Sequence, residues 1–201
     1  MKFLLTFILV VIQLTICHSQ SESGPFSVSA SYFGDNGFHP GLKFSGYYDF
    51  INFEKSKKRK FKKGQEKKGD KLKYKSYYGV LSLGGYSHAN NHNGWFGNVG
   101  AGYERVNARQ GRLFGYSLNL GYLYRDYKFD TYQLVENEIE SIGLAGSGGV
   151  VFSLSPHFGR DLSVKTNIPL KVQIKPIIQV MQYNHGFVPN AALEFEFIYH
   201  F

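Results

Sequence analysis

The last eleven residues of the chain alternate. Ala191, Leu193, Phe195, Phe197, Tyr199 and Phe201 are apolar, Ala192, Glu194, Glu196 and His200 stand between them, and only Ile198 interrupts the sequence of non-aromatic or polar partners. A period of two defines a strand with two chemically different faces. A strand that ends on a bare aromatic row suits a membrane barrel, whose outer face meets lipid and whose inner face meets a polar lumen.

The start of the sequence fits export. Lys2 is followed by an apolar run, Phe3 to Ile16, and then by Cys17-His18-Ser19. This has the layout of a secretory signal peptide over 1–19, with the cut before Gln20. The run is too short for a membrane-spanning helix, which needs about 20 apolar residues. Lipidation at Cys17 is the weaker alternative, because Ile16 stands where a small residue belongs. Cleavage at Ser19 removes the one cysteine of the chain, so the mature part, 20–201, has no disulfide to stabilise it. A closed barrel stabilises itself by pairing every backbone group within the sheet.

About eight strands are expected after the signal: Phe26–Phe33, Leu42–Phe50, Tyr77–Tyr86, Trp95–Arg105, Phe114–Arg125, Glu140–Leu154, Leu170–Tyr183 and the closing strand. No helical pattern intervenes, which predicts an all-β, up-and-down antiparallel transmembrane β-barrel in one domain. Eight strands leave an interior just wide enough for side chains, and the expected inward residues are small or charged. Lys171 and Lys175 are expected to pair with Glu194 and Glu196 on the adjacent strand, in company with Glu104, Arg125 and Lys43. Such a network plugs the lumen. Pro176 is expected to mark a bulge. A soluble eight-stranded barrel with its apolar face inward is the alternative.

Charge is concentrated in one hairpin. Residues 55–75 hold twelve Lys or Arg against Glu66 and Asp70, in a chain of net charge +8. Lys57, Lys58, Arg59, Lys60, Lys62, Lys63, Lys67 and Lys68 are the candidate contacts to anionic lipid or lipopolysaccharide, since a polybasic stretch gains roughly 1 kcal/mol per cation near an anionic surface. A solvated hairpin without a ligand is the bland alternative. Nucleic acid is not an expected partner, because no base-stacking module accompanies the charge.

Strand parity places His39, His88, His92 and His185 in turns at one rim, and His157 and His200 at the other end. Convergent imidazoles can hold Zn²⁺ or Cu²⁺, and a His can serve as a general base. His and Asn are also ordinary turn residues. The spacing of His88 and His92 is not that of a helical metal pair. No G-x-S-x-G, HExxH or phosphate loop occurs, and neither a catalytic residue nor a cofactor is assigned.

The closing pattern resembles the C-terminal signature of bacterial outer-membrane β-barrel proteins. The resemblance implies an outer-membrane location, lipid as the surrounding partner, and Phe197, Tyr199 and Phe201 as the signal read by the barrel-assembly machinery. Further stretches are His39-Pro40-Gly41-Leu42-Lys43, Leu83-Gly84-Gly85-Tyr86, Asn91-His92-Asn93-Gly94 and the Pro189-Asn190 turn. With these the mature chain is similar to small porin-like, OmpX-like barrels of Gram-negative bacteria, a family without agreed catalytic residues. Barrel lipid A deacylases share the size, the closing pattern and a His before Pro-Asn. Their His-x-Ser motif is absent here, because position 187 is Phe. The expected function is a non-enzymatic envelope or surface role exerted through the loops of a plugged barrel. A small envelope enzyme or metal-binding barrel using the rim His residues is the alternative, and a narrow passive pore is a weaker one.

Overall fold

The computed structural model describes residues 24–36, 39–57, 71–129, 131–135, 138–142, 146–166, 168–183 and 186–201. The expected signal peptide with Cys17, the basic residues Lys58, Arg59, Lys60, Lys62, Lys63, Lys67 and Lys68, and His185 lie outside the described residues. Ten strands are present: β1 (Phe26–Asp35), β2 (His39–Lys57), β3 (Lys71–Ser87), β4 (His92–Asn107), β5 (Arg112–Tyr127), β6 (Thr131–Val135), β7 (Glu138–Ile142), β8 (Gly146–Asp161), β9 (Leu170–Tyr183) and β10 (Gly186–His200). Eight of them close into a barrel in the order β1-β10-β9-β8-β5-β4-β3-β2, every pair antiparallel, while β6 and β7 form a separate hairpin.

Closure follows from the two ends of the sequence. β1 pairs with β10 from Ser27↔His200 to Asp35↔Ala192, and Gly24 N donates to Phe201 O at 2.6 Å. The first and last described residues therefore meet at one rim. The turns β1–β2, β3–β4 and β9–β10 lie at the opposite rim, together with the β6–β7 hairpin. At the termini rim the β4–β5 turn is closed by Gly111 N donating to Asn107 O at 2.8 Å, with Gly111 at a positive φ of 65°. A single helical turn, α1 (Ser163–Thr166), links β8 to β9.

The alternation expected from the sequence is inside-out relative to a soluble barrel. Leu42, Phe44, Leu81, Leu83, Val99, Leu118 and Phe197 are exposed on the outer surface. Ser27, Ser29, Ser31, Lys43, Ser45, Gln173, Lys175, Glu194 and Glu196 are buried in the lumen. The belt is graded. Its middle is mostly aliphatic, as in the cross-strand row Leu81–Val99–Leu120. Towards the termini rim lies an aromatic row in which the rings of Tyr77 and Tyr103 are 5.2 Å apart and those of Tyr103 and Tyr116 5.7 Å. Towards the other rim are Trp95, Tyr122 and Tyr124. An apolar band between aromatic girdles is the surface of a transmembrane barrel.

Two expectations are corrected. The stretch Glu140–Leu154 is not one strand: its first residues belong to β7, which pairs with β6 away from the barrel, and the barrel strand starts at Gly146. Pro176 forms no bulge and pairs in register with Leu193. Its outer neighbour across the β8–β9 seam is Pro156, and the ladder on either side resumes at Leu154↔Ile178 and Phe158↔Ile174. Neither proline has an N–H to donate, so the seam loses bonds without losing register. The register shift falls instead between Asp49 and Ile51 in β2, after which β2 and β3 continue paired to Lys57↔Lys71, beyond the first residue of β1.

Ile198, which breaks the polar register, points into the lumen and packs with Tyr47, Tyr78 and Val80 in a buried cluster. Truncating a buried Ile leaves a cavity as well as removing transfer energy. Ile198→Ala is expected to cost about 3 kcal/mol in denaturant unfolding from lipid vesicles, whereas truncation of its exposed neighbour Phe197 costs far less than a core residue of that size.

Candidate functional site: the lumen and its two rims

The lumen is filled in layers, and each layer is set by which residue the pleat turns inward. Next to the rim opposite the termini, Phe33, Tyr86, Leu123, Val151, Ile177, Met181 and Ala192 form a buried apolar cap, with Phe96 packed against it. The rings of Phe33 and Phe96 are 4.9 Å apart. Below the cap lies a polar layer. Ser82 Oγ donates to Ser45 Oγ at 2.9 Å, and Asn119 Nδ2 donates to the hydroxyls of Ser117 and Ser153 at 3.4 and 3.3 Å. A cavity of about 30 Å³ beside Lys43, Asn98 and Ser155 is the space left there, enough for a bound water and no more.

The ion pairs follow. Lys43 Nζ contacts Glu194 Oε2 at 2.5 Å. Lys175 Nζ pairs with Glu196 Oε2 and donates to Tyr47 Oη at 2.7 Å. Glu196 is wholly buried and accepts three further bonds: from Ser29 Oγ and Tyr47 Oη, each at 2.5 Å, and from Gln173 Nε2 at 2.6 Å. A buried carboxylate offers about four lone-pair sites, and here its neighbours on β1, β2 and β9 fill them. Nearer the termini rim, Lys171 Nζ contacts Glu104 Oε1 at 2.5 Å, and Glu104 Oε2 stands 3.8 Å from His157 Nε2. His157 fits because β5 has Gly115 opposite it: a Cβ there would sit 2.3 Å from His157 Nε2 and 2.2 Å from the Tyr103 carbonyl. At the rim itself Ser27 Oγ and His200 Nδ1 are 2.7 Å apart.

Most of the expected network is therefore present, with different partners. Lys175 pairs with Glu196, Lys43 takes Glu194, and Lys171 crosses the lumen to Glu104. Lys171 does not pair with Glu194 or Glu196, because it lies opposite Ile198 in the β9–β10 ladder. Arg125 is corrected outright. It is inward and buried but belongs to the opposite end, opposite Gly94, where its guanidinium contacts Met181 Sδ at 3.5 Å and lies 5.4 Å from the Tyr183 ring centre. Alternation gave its face, and its height on β5 excludes contact with Glu104. The nearby acid at that end is Asp35, which accepts from Asn190 Nδ2 at 2.6 Å. Of the expected basic contacts only Lys57 falls on a described strand; its backbone pairs with that of Lys71.

Three rim imidazoles do converge. The ring centres of His39 and His88 are 3.8 Å apart, and those of His88 and His92 5.5 Å. Tyr86 Oη lies 3.2 Å from His92 Nε2. The Nδ1 atoms of His88 and His92 are buried and have no hydrogen-bond partner among the described residues. Stacked rings turn their faces to one another, whereas ligands must aim nitrogen lone pairs at one point about 2 Å away. Among the described residues no group of three His, Cys, Asp or Glu is arranged to hold a metal ion.

The apolar caps were absent from the expectation, although the sequence carries their trace. Wherever two apolar residues are adjacent in a strand, as in Tyr32-Phe33, Tyr122-Leu123, Ile177-Ile178 and Ala191-Ala192, one must face inward, and these inward members meet at one height.

No family model matches the chain, and no curated protein does. Solved structures similar to it include the N-terminal β-barrel domain of Pseudomonas aeruginosa OprF, at 13% identity and a TM-score of 0.47, covering 89% of this chain and 100% of that one. The outer membrane enzyme PagL is similar at 12% identity and a TM-score of 0.39, covering 85% of this chain and 97% of that one. Ail, the attachment invasion locus protein of Yersinia pestis, is similar at 10% identity and a TM-score of 0.38, covering 90% and 100%.

The Glu196 site yields a stability prediction. Removing one partner of a buried pair strands the other charge, whereas replacing both with apolar groups is often neutral. Glu196→Ala is expected to lose roughly 3–5 kcal/mol against denaturant, and Lys175→Met combined with Glu196→Leu should recover most of that loss. The same chain geometry, with an apolar belt outside, paired charges inside and no free barrel edge, is that of an integral β-barrel of the outer-membrane type.

Proposed function

We propose that this outer-membrane barrel is a non-enzymatic envelope protein with a plugged lumen, acting through the loops at the rim opposite its termini. The observation that carries this reading is the filled interior: two buried apolar clusters with three lysine–carboxylate pairs distributed between and below them. Eight-stranded interiors are narrow enough for side chains to fill, and here the lumen space beside Lys43, Asn98 and Ser155 is water-sized. This favours a closed barrel over a pore. A non-enzymatic role is favoured by the best candidate for a nucleophile–base couple, Ser27 with His200: His200 Nε2 has no partner among the described residues, so no carboxylate orients the ring as a triad requires.

The partners follow from the surface. The belt takes membrane lipid. The aromatic row that ends in Phe197, Tyr199 and Phe201 is the segment offered to the assembly machinery. β2 and β3 extend past the aromatic row of Tyr77 and Tyr103 at the termini rim to Lys57 and Lys71, and anionic headgroups are the chemistry proposed for the cations of the run 55–75.

Two measurements test the proposal. In planar bilayers the protein is expected to show no conductance above leak; steps of stable conductance from the folded protein would establish a pore. Deleting Phe201 is expected to lower the assembled fraction in cells severalfold, with unchanged refolding of the purified chain in detergent. Equal assembly of both forms would remove the role given to the closing residue.

A further inference from the structure

The outer face of the barrel is not uniformly convex. On β2, β3, β4 and β5, near the rim opposite the termini, it is hollowed into a groove of about 980 Å³. The cause is the placement of two glycines on the lipid-facing side. Gly97 stands in the cross-strand row Phe44–Leu83–Gly97–Tyr122, and Gly85 in the row Leu42–Gly85–Trp95–Tyr124. Every other member of these rows is a large exposed apolar or aromatic residue. At Gly85 the indole of Trp95 lies against the backbone, its Cε3 2.8 Å from where a Cβ would be. At Gly97 a Cβ would meet only Leu83 Cδ2 at 3.2 Å and the Ser82 carbonyl at 3.9 Å, so the space above it is open.

The groove has an apolar floor and a polar lip. At its rim end Ser87 Oγ donates to Asn93 Oδ1 at 3.0 Å. Lys128 Nζ donates to Ser87 Oγ and to the His88 carbonyl, each at 2.9 Å, and so ties β5 to the β3–β4 turn. From Ser87 to Leu83 the groove runs about 13 Å along the strand, the scale of a membrane leaflet's hydrocarbon half.

From this geometry we infer that the groove is a fixed binding site for one acyl chain of a membrane lipid, with the lipid's polar head at the Ser87–Asn93 lip. The inference rests on the lipid-facing belt: the groove is continuous with it, so hydrocarbon is the medium that fills it. A chain lying on Gly97 touches backbone below and Leu42, Phe44, Trp95 and Tyr122 at the sides, whereas a chain on the convex belt is touched from one side. Since dispersion gain scales with the number of atom contacts, the chain in the groove exchanges more slowly than its neighbours. A second protein copy would need a protruding ridge to fill the hollow.

The test uses dimyristoyl phosphatidylcholine as probe. The protein is loaded in nanodiscs of that lipid, moved to detergent and weighed by native mass spectrometry. The wild type is expected to keep one lipid. Gly97→Leu, which fills the groove where space is open, is expected to lower the lipid-bound fraction at least tenfold, with Gly97→Ala intermediate. Phe152→Leu, on the belt outside the groove, is expected to keep the wild-type fraction. Heat-dependent mobility in gel electrophoresis confirms that each variant is a closed barrel, and a variant that fails this check is replaced in the comparison by Gly97→Ala. Equal retention by the filled and open grooves overturns the inference, as does equal loss in Phe152→Leu or a protein dimer that disappears when the groove is filled. Conductance and loop function are unaffected by these outcomes, so failure here is separable from failure of the proposed function.

Discussion

The structure depends on one constraint: a sheet of eight strands closes around a space that must be packed, while its outer face must be apolar. In lipid no backbone group can be left unpaired, so closure is compulsory, and closure on eight strands leaves room for side chains only. The residues that the pleat turns inward are therefore core residues in every sense except polarity. Glu194, Glu196, Lys43 and Lys175 are buried as deeply as Leu or Ile would be in a soluble domain. Their charge is tolerated because each meets a partner of opposite sign and, at Glu196, three further donors.

The order of the layers reinforces that solution. Water that reached the ion pairs would raise the local dielectric and weaken them. On one side the cap of Phe33, Leu123, Ile177 and Ala192 stands between the Lys43–Glu194 pair and the loops. On the other side Tyr47, Tyr78, Val80 and Ile198 separate the Lys175–Glu196 pair from Glu104 and Lys171. The polar contacts fix which strand sits beside which, since Lys43 reaches from β2 to β10 and Lys171 from β9 to β4. The apolar layers supply the non-directional part of the packing and exclude water. A lumen built only from charges would lack the second property, and one built only from aliphatics would leave rotation of register less restricted.

Alternation made the face of nearly every strand residue legible, because a residue's side in a strand is decided by parity alone. It made height less legible. Arg125 was put on the correct face and at the wrong level, and Lys171 was given acids that sit above it. Levels depend on strand stagger, which is a property of closure and not of any one strand. The end of β7 from Glu140 reads as one strand with β8 because both obey period two, and no periodicity records whether a strand joins the barrel or stands apart from it. Pro176 read as a bulge because proline removes a donor; the structure instead sets it across from Pro156, so that two missing donors share one gap. The rim histidines were legible as a cluster, since parity sends His39, His88 and His92 to one end, but not as a stack, which depends on the turn geometry.

The same parity argument accounts for the groove and for the filled lumen together. Glycine is used on both faces, with opposite results. Inside, Gly102 and Gly115 are overlaid by Tyr78 and His157, which occupy the volume their Cβ atoms would need. Outside, Gly97 has only the tip of Leu83 near it and nothing from the protein to lie on it. Each inward glycine is filled by the side chain of its pairing partner on the adjacent strand, Tyr78 of β3 for Gly102 and His157 of β8 for Gly115. An outward glycine can be covered by a neighbouring ring, as Gly85 is by Trp95; where it is not, as at Gly97, the bilayer fills it. The sequence does not distinguish the two kinds until the strand faces are assigned; once they are, Gly97, with Gly85 beside it, marks the stretch of the belt that the groove occupies.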